Sequence, residues 1–267
     1  MELKDILVHI DNSKQCDARV DFAISVAKRH QAHLTGLCII PSYPPGPKQS
    51  DEERMADEAK TKFIYKTNSS EITSDWLCIE SFKVVEILRL FTSYKDLVIV
   101  SQPDPEHRYK ETPSDLPERL ILGTGRPVLV VPYVGEFNSL RKHVMVAWRG
   151  GRESARSLND ALPFLEKAEQ VSVLEVNPPV IDDGPLKNVC CLEICSHLAR
   201  HGISAESEQL ISKDIPVGDT LLNWSFDQGV DLMVLGAVAN NHIGGQTLGP
   251  VGRHILHHMT IPALISH

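Results

Sequence analysis

The chain has 267 residues, enough for two domains that each bury a core of their own. Its 27 lysines and arginines against 35 aspartates and glutamates leave a net charge of −8, shared as −4 for residues 1–138 (17 basic, 21 acidic) and −4 for the remainder (10 basic, 14 acidic), so neither half carries the basic field that nucleic-acid binding needs. No apolar run approaches the ~18–20 residues of a membrane span, no signal pattern precedes the first strand-like segment, and six cysteines are no disulfide framework; the expectation is a protein of a reducing cytoplasm without a membrane or nucleic-acid partner.

In chain order, Ile6 to Ile10 is a short apolar run that reads as a strand. Ser13 is placed to cap a helix with Ala18, Phe22, Ala23, Val26 and Ala27 on one face. Leu34 to Ile40 reads as a second strand, followed by the Pro-rich connection 41–47, a polar helix and a third strand near Trp76 to Glu80. A helix with Val84, Val85, Leu88 and Phe91 leads to a fourth strand at Leu97–Val100, and a last helix and strand close at Val131. After the polar stretch Tyr133–Leu140 the series begins again. Val144 to Trp148 is a strand, Ser154 opens a helix with Leu158, Leu162 and Leu165 that Pro163 is expected to kink, and Val171 to Val176 is the next strand. Asn177-Pro178-Pro179 matches the earlier Pro-rich connection. A strand within Ile203–Leu210, a helix with Leu221, Leu222 and Phe226, a strand at Leu232–Leu235 and a closing helix and strand ending at Ser266 complete the chain.

The repetition is explicit. Lys4-Asp5-Ile6-Leu7-Val8-His9-Ile10 is echoed by Lys142-His143-Val144-Met145-Val146-Ala147-Trp148. Asp96-Leu97-Val98-Ile99-Val100 and Pro127-Val128-Leu129-Val130-Val131 return 135 residues later as Asp231-Leu232-Met233-Val234-Leu235 and Pro262-Ala263-Leu264-Ile265-Ser266. An offset of that size is a domain, not a solenoid repeat. Strands alternating with helices imply a parallel sheet with helices on both faces, because parallel strands need crossover connections. The expected fold class is therefore α/β: two tandem doubly wound, Rossmann-like parallel-sheet domains, residues 1–136 and 137–267. Ligands of such sheets sit at the carboxyl ends of the strands, near the switch point. Those ends fall at Asp11 and Ser101 in the first copy and at Arg149 and Gly236 in the second.

Between the fourth strand and the last helix of the second copy runs Gly236-Ala237-Val238-Ala239-Asn240-Asn241-His242-Ile243-Gly244-Gly245-Gln246-Thr247-Leu248-Gly249-Pro250-Val251. With the ending Ile255 to Ile265, and with Val146-Ala147-Trp148 and Ala161-Leu162-Pro163 upstream, it resembles the universal stress protein family in its tandem bacterial form. The resemblance implies ATP, with its magnesium, as the candidate cofactor, held by a G-x2-G-x9-G-[S/T] loop after strand four and an Asp ending strand one. Glycines let backbone N–H groups reach phosphate, and the following helix N-terminus favours the anion. On this chain Gly236 and Gly249 stand at the outer glycines, Ala239 at the middle one, Pro250 at the hydroxyl position with Val251 beside it, and Arg149 where the Asp would be. Asp11 keeps the acidic position in the first copy, but its loop reads Ser101-Gln102-Pro103-Asp104-Pro105-Glu106, without glycine, and Ser114 and Asp115 stand where Gly249 and Pro250 do. Three readings of the second loop stay open: turns and close packing alone, residual nucleotide binding with Arg149 as the phosphate contact, or another ligand, a smaller anion or an apolar molecule. The resemblance further implies that the two domains pair as an intramolecular pseudo-dimer through their last strands, that the whole chain can form a homodimer, and that it meets protein partners.

Two side-chain groups lie outside this scheme. Cys190, Cys191, Cys195, His197 and His201 share one helix, yet no paired C-x2-C knuckle accompanies them, and small cysteines commonly fill helix–sheet interfaces. His254, His257 and His258 lie on the closing helix, with His254 and His258 on one face by their four-residue spacing but without a third ligand to make a metal site; a pH-sensitive interface is the alternative. Ser13, Ser101 and Ser154 sit near strand ends, but none stands in a G-x-S-x-G elbow, so no catalytic residue is assigned. The expected function is non-catalytic: a stress-response protein acting through ligand or partner binding with degenerate nucleotide sites, the alternative being an ATP-binding sensor with at most slow hydrolysis.

Overall fold

The computed structural model describes residues 2–40, 49–103, 112–135, 137, 142–178, 189–242 and 245–267, and the chain divides into two compact units, Glu2–Asn138 and Ser139–His267. The Pro-rich segment 41–47, Pro179, the loop residues Asp104 to Glu106, part of the 133–140 stretch and Ile243–Gly244 lie outside the described residues, and the side chain of Cys190 does as well.

In the first unit, β1 (Asp5–Ile10), α1 (Cys16–His30), β2 (His33–Ile40), α2 (Gln49–Ser69), β3 (Ser74–Glu80), α3 (Val84–Thr92), β4 (Leu97–Ser101), α4 (Leu116–Gly123) and β5 (Val128–Val131) follow one another. The strands are all parallel in the order β3-β2-β1-β4-β5. The second unit repeats this with β6 (His143–Ala147), α5 (Gly151–Leu165), β7 (Gln170–Val176), α6 (Val189–Arg200), β8 (Glu206–Leu210), α7 (Val217–Asp227), β9 (Leu232–Gly236), a hairpin of β10 (Ala239–His242) and β11 (Gly245–Leu248), α8 (Pro250–His258) and β12 (Ala263–Ser266). Its parallel order is β8-β7-β6-β9-β12. Helices cover both faces, so the central strands are apolar throughout: Ile6, Leu7, Val8 and Leu97 to Val100 are fully buried, as are Val144 to Val146 and Leu232 to Val234. Among the described residues no helix is long and apolar enough to cross a membrane.

The repeated aspartates have one job in both copies. Asp96, just before β4, accepts the backbone N–H groups of Lys4 (2.8 Å) and Asp5 (3.0 Å) with Oδ2. Asp231, just before β9, accepts those of Lys142 (2.7 Å) and His143 (3.1 Å). Each carboxylate thereby ties the amino ends of the two central strands together, and the chain reverses its direction of strand addition at that seam. The open end of the seam is the carboxyl end.

Three local expectations are corrected. Helix α1 begins at Cys16, not at Ser13: the Ser13 hydroxyl and N–H both turn back to Asp11 Oδ1 (2.5 and 3.0 Å), a stronger acceptor than the helix end offers a donor. Helix α5 begins a turn before Ser154, at Gly151. Pro163 falls in its last turn, and α5 runs on to Leu165. The segment after β9 is not a plain loop, because 239–248 pairs antiparallel as β10–β11, Ala239 against Leu248. The two copies also differ by two residues between first strand and first helix. Copy one spends residues 11–15 there, whereas copy two crosses in 148–150 by putting Gly150 and Gly151 at φ 81° and 85°, a left-handed region open to glycine.

In the first unit α2 packs on the sheet through Phe63, 1 % exposed, whose ring lies 5.7 Å from that of Trp76 on β3. Phe63→Ala is expected to cost the unit about 3–5 kcal/mol. Trp76 is the one tryptophan of this unit, so a lowered denaturation midpoint in its fluorescence, with Trp148 and Trp224 replaced by Phe, checks it.

Candidate functional site

At the carboxyl ends of β6 and β9 the second unit holds a cavity of about 840 Å³. Strand β6 delivers Trp148 and Arg149 to it, and the glycine turn brings the first residues of α5, Glu153 and Ser154 among them, to its floor. Strand β9 ends there in Gly236, and the start of α8 contributes Gly249, Pro250, Val251 and Gly252. Leu174, Val176, Val217, Leu221, Leu235 and Val238 make the remaining wall mainly apolar. Arg149 is exposed, and its N–H donates to Ser154 Oγ at 3.3 Å. Glu153 is held below the usual carboxylate range by a bond to its own backbone N–H and by the adjacent Arg152 guanidinium, which donates at 3.0 Å.

Five of the seven residues singled out in the sequence thus line one cavity: Arg149, Gly236, Gly249, Pro250 and Val251. Ala239 is not in the wall; it pairs with Leu248 in the hairpin between lining residues Val238 and Asn240. Asp11 is in the other unit. The glycines have packing reasons of their own. A Cβ on Gly236 would lie 2.4 Å from the carbonyl carbon of Glu153 and 2.6 Å from the nitrogen of Ser154, so strand end and helix turn meet only because that residue is glycine. Gly249 donates its N–H to the Val238 carbonyl at 2.7 Å and precedes Pro250, which opens α8 where a missing N–H costs nothing.

The matching position in the first unit is filled. Arg19, 1 % exposed, reaches from α1 across the carboxyl ends of β1 and β4. Its Nε donates to the His9 carbonyl (2.8 Å), its Nη2 to Asp11 Oδ1 (2.8 Å) and its Nη1 to the Ser101 hydroxyl. Burial alone would raise the Asp11 carboxyl, but Arg19, with His9 and the Ser13 hydroxyl, holds it well below the usual carboxylate range. The hollow left beside Asp11 and Ser13 is about 310 Å³. Counted from the helix start, Arg19 of α1 corresponds to Ser154 of α5, and Ser101 corresponds to Gly236. Two reductions in side-chain size open in one copy what a guanidinium closes in the other. Sequence reasoning missed Arg19; the available signal was an arginine three, four and seven residues before Phe22, Ala23 and Val26 on the apolar face of α1. It also missed Trp148 and Glu153 as wall residues.

Among the described side chains the Cys/His helix brings no site together. Cys191 is buried and donates to Glu175 Oε2 at 3.1 Å; burial first, and then that carboxylate, push its thiol up to about 12. The His197 ring of α6 meets that of His201, just past the helix end, edge-on at 4.8 Å, and His254, beside His258, bonds Asp219 at 2.6 Å. Among the described residues no three His, Cys, Asp or Glu side chains converge as a metal site.

No family model and no curated protein matches the sequence. Solved structures do. A universal stress protein from Archaeoglobus fulgidus DSM 4304 superimposes with a TM-score of 0.77 over 98% of this chain and 97% of its own, at 12% identity. A putative universal stress protein from Pseudomonas aeruginosa UCBPP-PA14 gives 0.65 over 99% and 93%, at 16% identity. The fold is that of the universal stress proteins, written twice. A functionally unknown protein from Pseudomonas aeruginosa PAO1 shares it at the same 0.65 and 16%. At these identities the likeness is one of universal stress protein architecture, and the site rests on this chain's own residues.

Two outcomes are expected. Gly236→Ala forces its methyl group into the α5 backbone and lowers the stability of the second unit by roughly 1–3 kcal/mol or more, read as the midpoint of its denaturant transition. In the first unit, burial, against the pull of Asp11 and with the push of Arg19, lowers the His9 imidazole from 6.5 to about 4, so at neutral pH it is uncharged and its 3.7 Å approach to Asp11 is no ion pair. Because the unfolded chain takes up that proton first, stability is lost as pH falls from 6.5 to about 4, by about 3 kcal/mol in all. Asp11, whose folded carboxyl stays ionised below the pH at which the unfolded one protonates, extends the loss to still lower pH. Thermal melts at stepped pH, compared with His9→Asn, should show the upper part of the slope vanish in the variant.

Proposed function

We propose that the protein is a non-catalytic tandem universal stress protein that acts in the stress response by binding a ligand in its second unit, while its first unit is closed and structural. The observation that carries this reading is the contrast between equivalent seams: an 840 Å³ cavity beside Arg149 in one unit, a buried Arg19–Asp11 pair in the other. The second cavity has apolar walls for a flat or aliphatic body and one exposed arginine, Arg149, for a negative group. It lacks a hydroxyl and an N–H at position 250, and Glu153 opposes anionic charge, so polyphosphate binding is weakened relative to a complete glycine loop. Among the described lining residues no nucleophile is paired with a base, and the reading is therefore binding and not turnover.

A second reading keeps ATP as the ligand, in a nucleotide sensor. Arg149, at the end of β6, favours it, since an arginine there replaces the lost hydroxyl by a charge-assisted contact worth about 1.5–3 kcal/mol. Titration calorimetry of the full chain with ATP and Mg²⁺ separates the two. Binding at one site per chain, weakened about tenfold or more by Arg149→Ala and abolished by Gly249→Asp, establishes the sensor. A ligand present at a hundred times its Kd would also stabilise the second unit by about 2.7 kcal/mol. No heat at millimolar ATP retires the nucleotide and leaves a smaller anion, an apolar molecule or a protein partner as the occupant to seek.

A further inference from the structure

In the first unit two cysteines stand side by side on neighbouring strands. Cys38 of β2 is in direct register with Cys78 of β3, within the run Leu37↔Leu77, Cys38↔Cys78, Ile39↔Ile79. Parallel neighbours place such Cα atoms about 4.8 Å apart, inside the roughly 4.4–6.8 Å span that a disulfide bridges. The two thiols are near enough for each to shift the other's titration. Cys38 is buried at 5 % exposure, and Cys78 is exposed because β3 is the edge of its sheet. The second unit supplies an internal comparison. From the strand registers, Cys38 and Cys78 correspond to Glu175 and Gln209, which are also directly paired and joined by a bond of 3.0 Å from Nε2 to Oε2. One register position thus holds an amide–carboxylate link in one copy and two thiols in the other.

We propose that Cys38 and Cys78 are an oxidisable pair that closes into a cross-strand disulfide by exchange with a small-molecule disulfide such as oxidised glutathione. Cys78 is the attacking thiol. It is open to solvent; partial burial first, and then the carboxylates Asp57 and Glu80, hold its thiol above the ordinary value, while the neighbouring Cys38 and Lys60 pull it the other way. Its thiolate attacks one sulfur of glutathione disulfide, whose S–S bond breaks, and one glutathione leaves as thiolate. Cys38, kept protonated at rest by burial and by the neighbouring Cys78, Cys16 and Asp11, then gives its proton to solvent and attacks the Cys78 sulfur. The second glutathione leaves, so two protein thiols are oxidised and one disulfide is reduced to two thiols. The closed form ties the edge strand to β2 covalently.

The test is to incubate the reduced full-length protein with oxidised glutathione at mildly alkaline pH, quench and alkylate it unfolded, and map its peptides by mass. The expected product has lost two alkylation-reactive thiols and contains a linked pair of peptides bearing Cys38 and Cys78. Cys38→Ser should stop at a stable glutathione adduct on Cys78, Cys78→Ser, an exposed substitution that leaves the core intact, should give no link, and Cys16→Ser should still close. A wild-type protein that keeps all its thiols, that accumulates the Cys78 adduct, or that links other cysteines overturns the proposal.

Discussion

Each unit of this protein is arranged around a seam between two parallel strands that are not consecutive in the chain. Asp96 and Asp231 fasten its amino end by taking two backbone N–H groups each, from the first residue of β1 or β6 and the residue before it. Charge-assisted bonds of this kind are among the stronger ones available to a strand end. With the amino ends fastened and the crossovers leaving in opposite directions, the carboxyl end is where loops part and side chains from the first helix meet the strand ends. The sheet must present polar backbone there, and some group has to satisfy it. Which group does so decides what each copy can do.

In the first copy the answer is internal. Arg19 gives three of its donors to His9, Asp11 and Ser101, and Asp11 in turn holds the turn through Ser13. A buried ion pair of this kind adds little net stability over an apolar replacement, but removing one partner alone leaves an uncompensated charge at a cost of about 3–5 kcal/mol. The arrangement is therefore hard to undo by single steps, and an acid at the end of the first strand is no sign of a ligand site when a guanidinium already owns it. In the second copy the helix residue is Ser154 and the strand residue Gly236, and the charge at the strand end is inverted to Arg149. The shorter turn through Gly150 and Gly151 draws α5 against β9, so the space appears above the packing contact and not within it.

The parts of this that can be read from residues alone are those set by burial. Strands such as Leu97–Val100 and Leu232–Leu235 are covered on both faces and appear as unbroken apolar runs, and the duplicated offset follows from them. The gathering of Arg149, Gly236, Gly249, Pro250 and Val251 follows from the topology, since strand ends in such sheets converge. What escaped is set by partners distant in sequence. Ser13 has the right type and place for a helix cap, and loses that role to a carboxylate two residues away. Arg19 looks like a solvated charge until β4 brings Ser101 to it from 82 residues on. The segments β10 and β11 carry no strong alternation, and their pairing with each other, not propensity, makes them strands.

The same rule governs the other end of the sheet, where the two copies satisfy one buried position by unrelated chemistry. In the first, Lys95 Nζ bridges Asp5 (2.7 Å) and Thr35 (2.9 Å) between β1 and β2. In the second, the residues at those places are His143 and Ser172, and the imidazole itself spans the gap, bonding the Ser172 hydroxyl at 2.8 Å and the Gln228 carbonyl at 3.1 Å. Both solutions meet the requirement that buried polar groups be paired, and neither is recognisable as the other by residue type. Backbone register is what the duplication has kept, while the side chains at each register position have been free to change as pairs: aspartate and arginine, serine and glycine, two thiols, a carboxylate and an amide. A change in one member without the other leaves a polar group stranded, at a cost comparable to a sizeable share of a domain's stability. Divergence between the copies is therefore concerted within each pair, and the seam whose pair was replaced by small residues is the one left with room for a molecule that is not part of the chain.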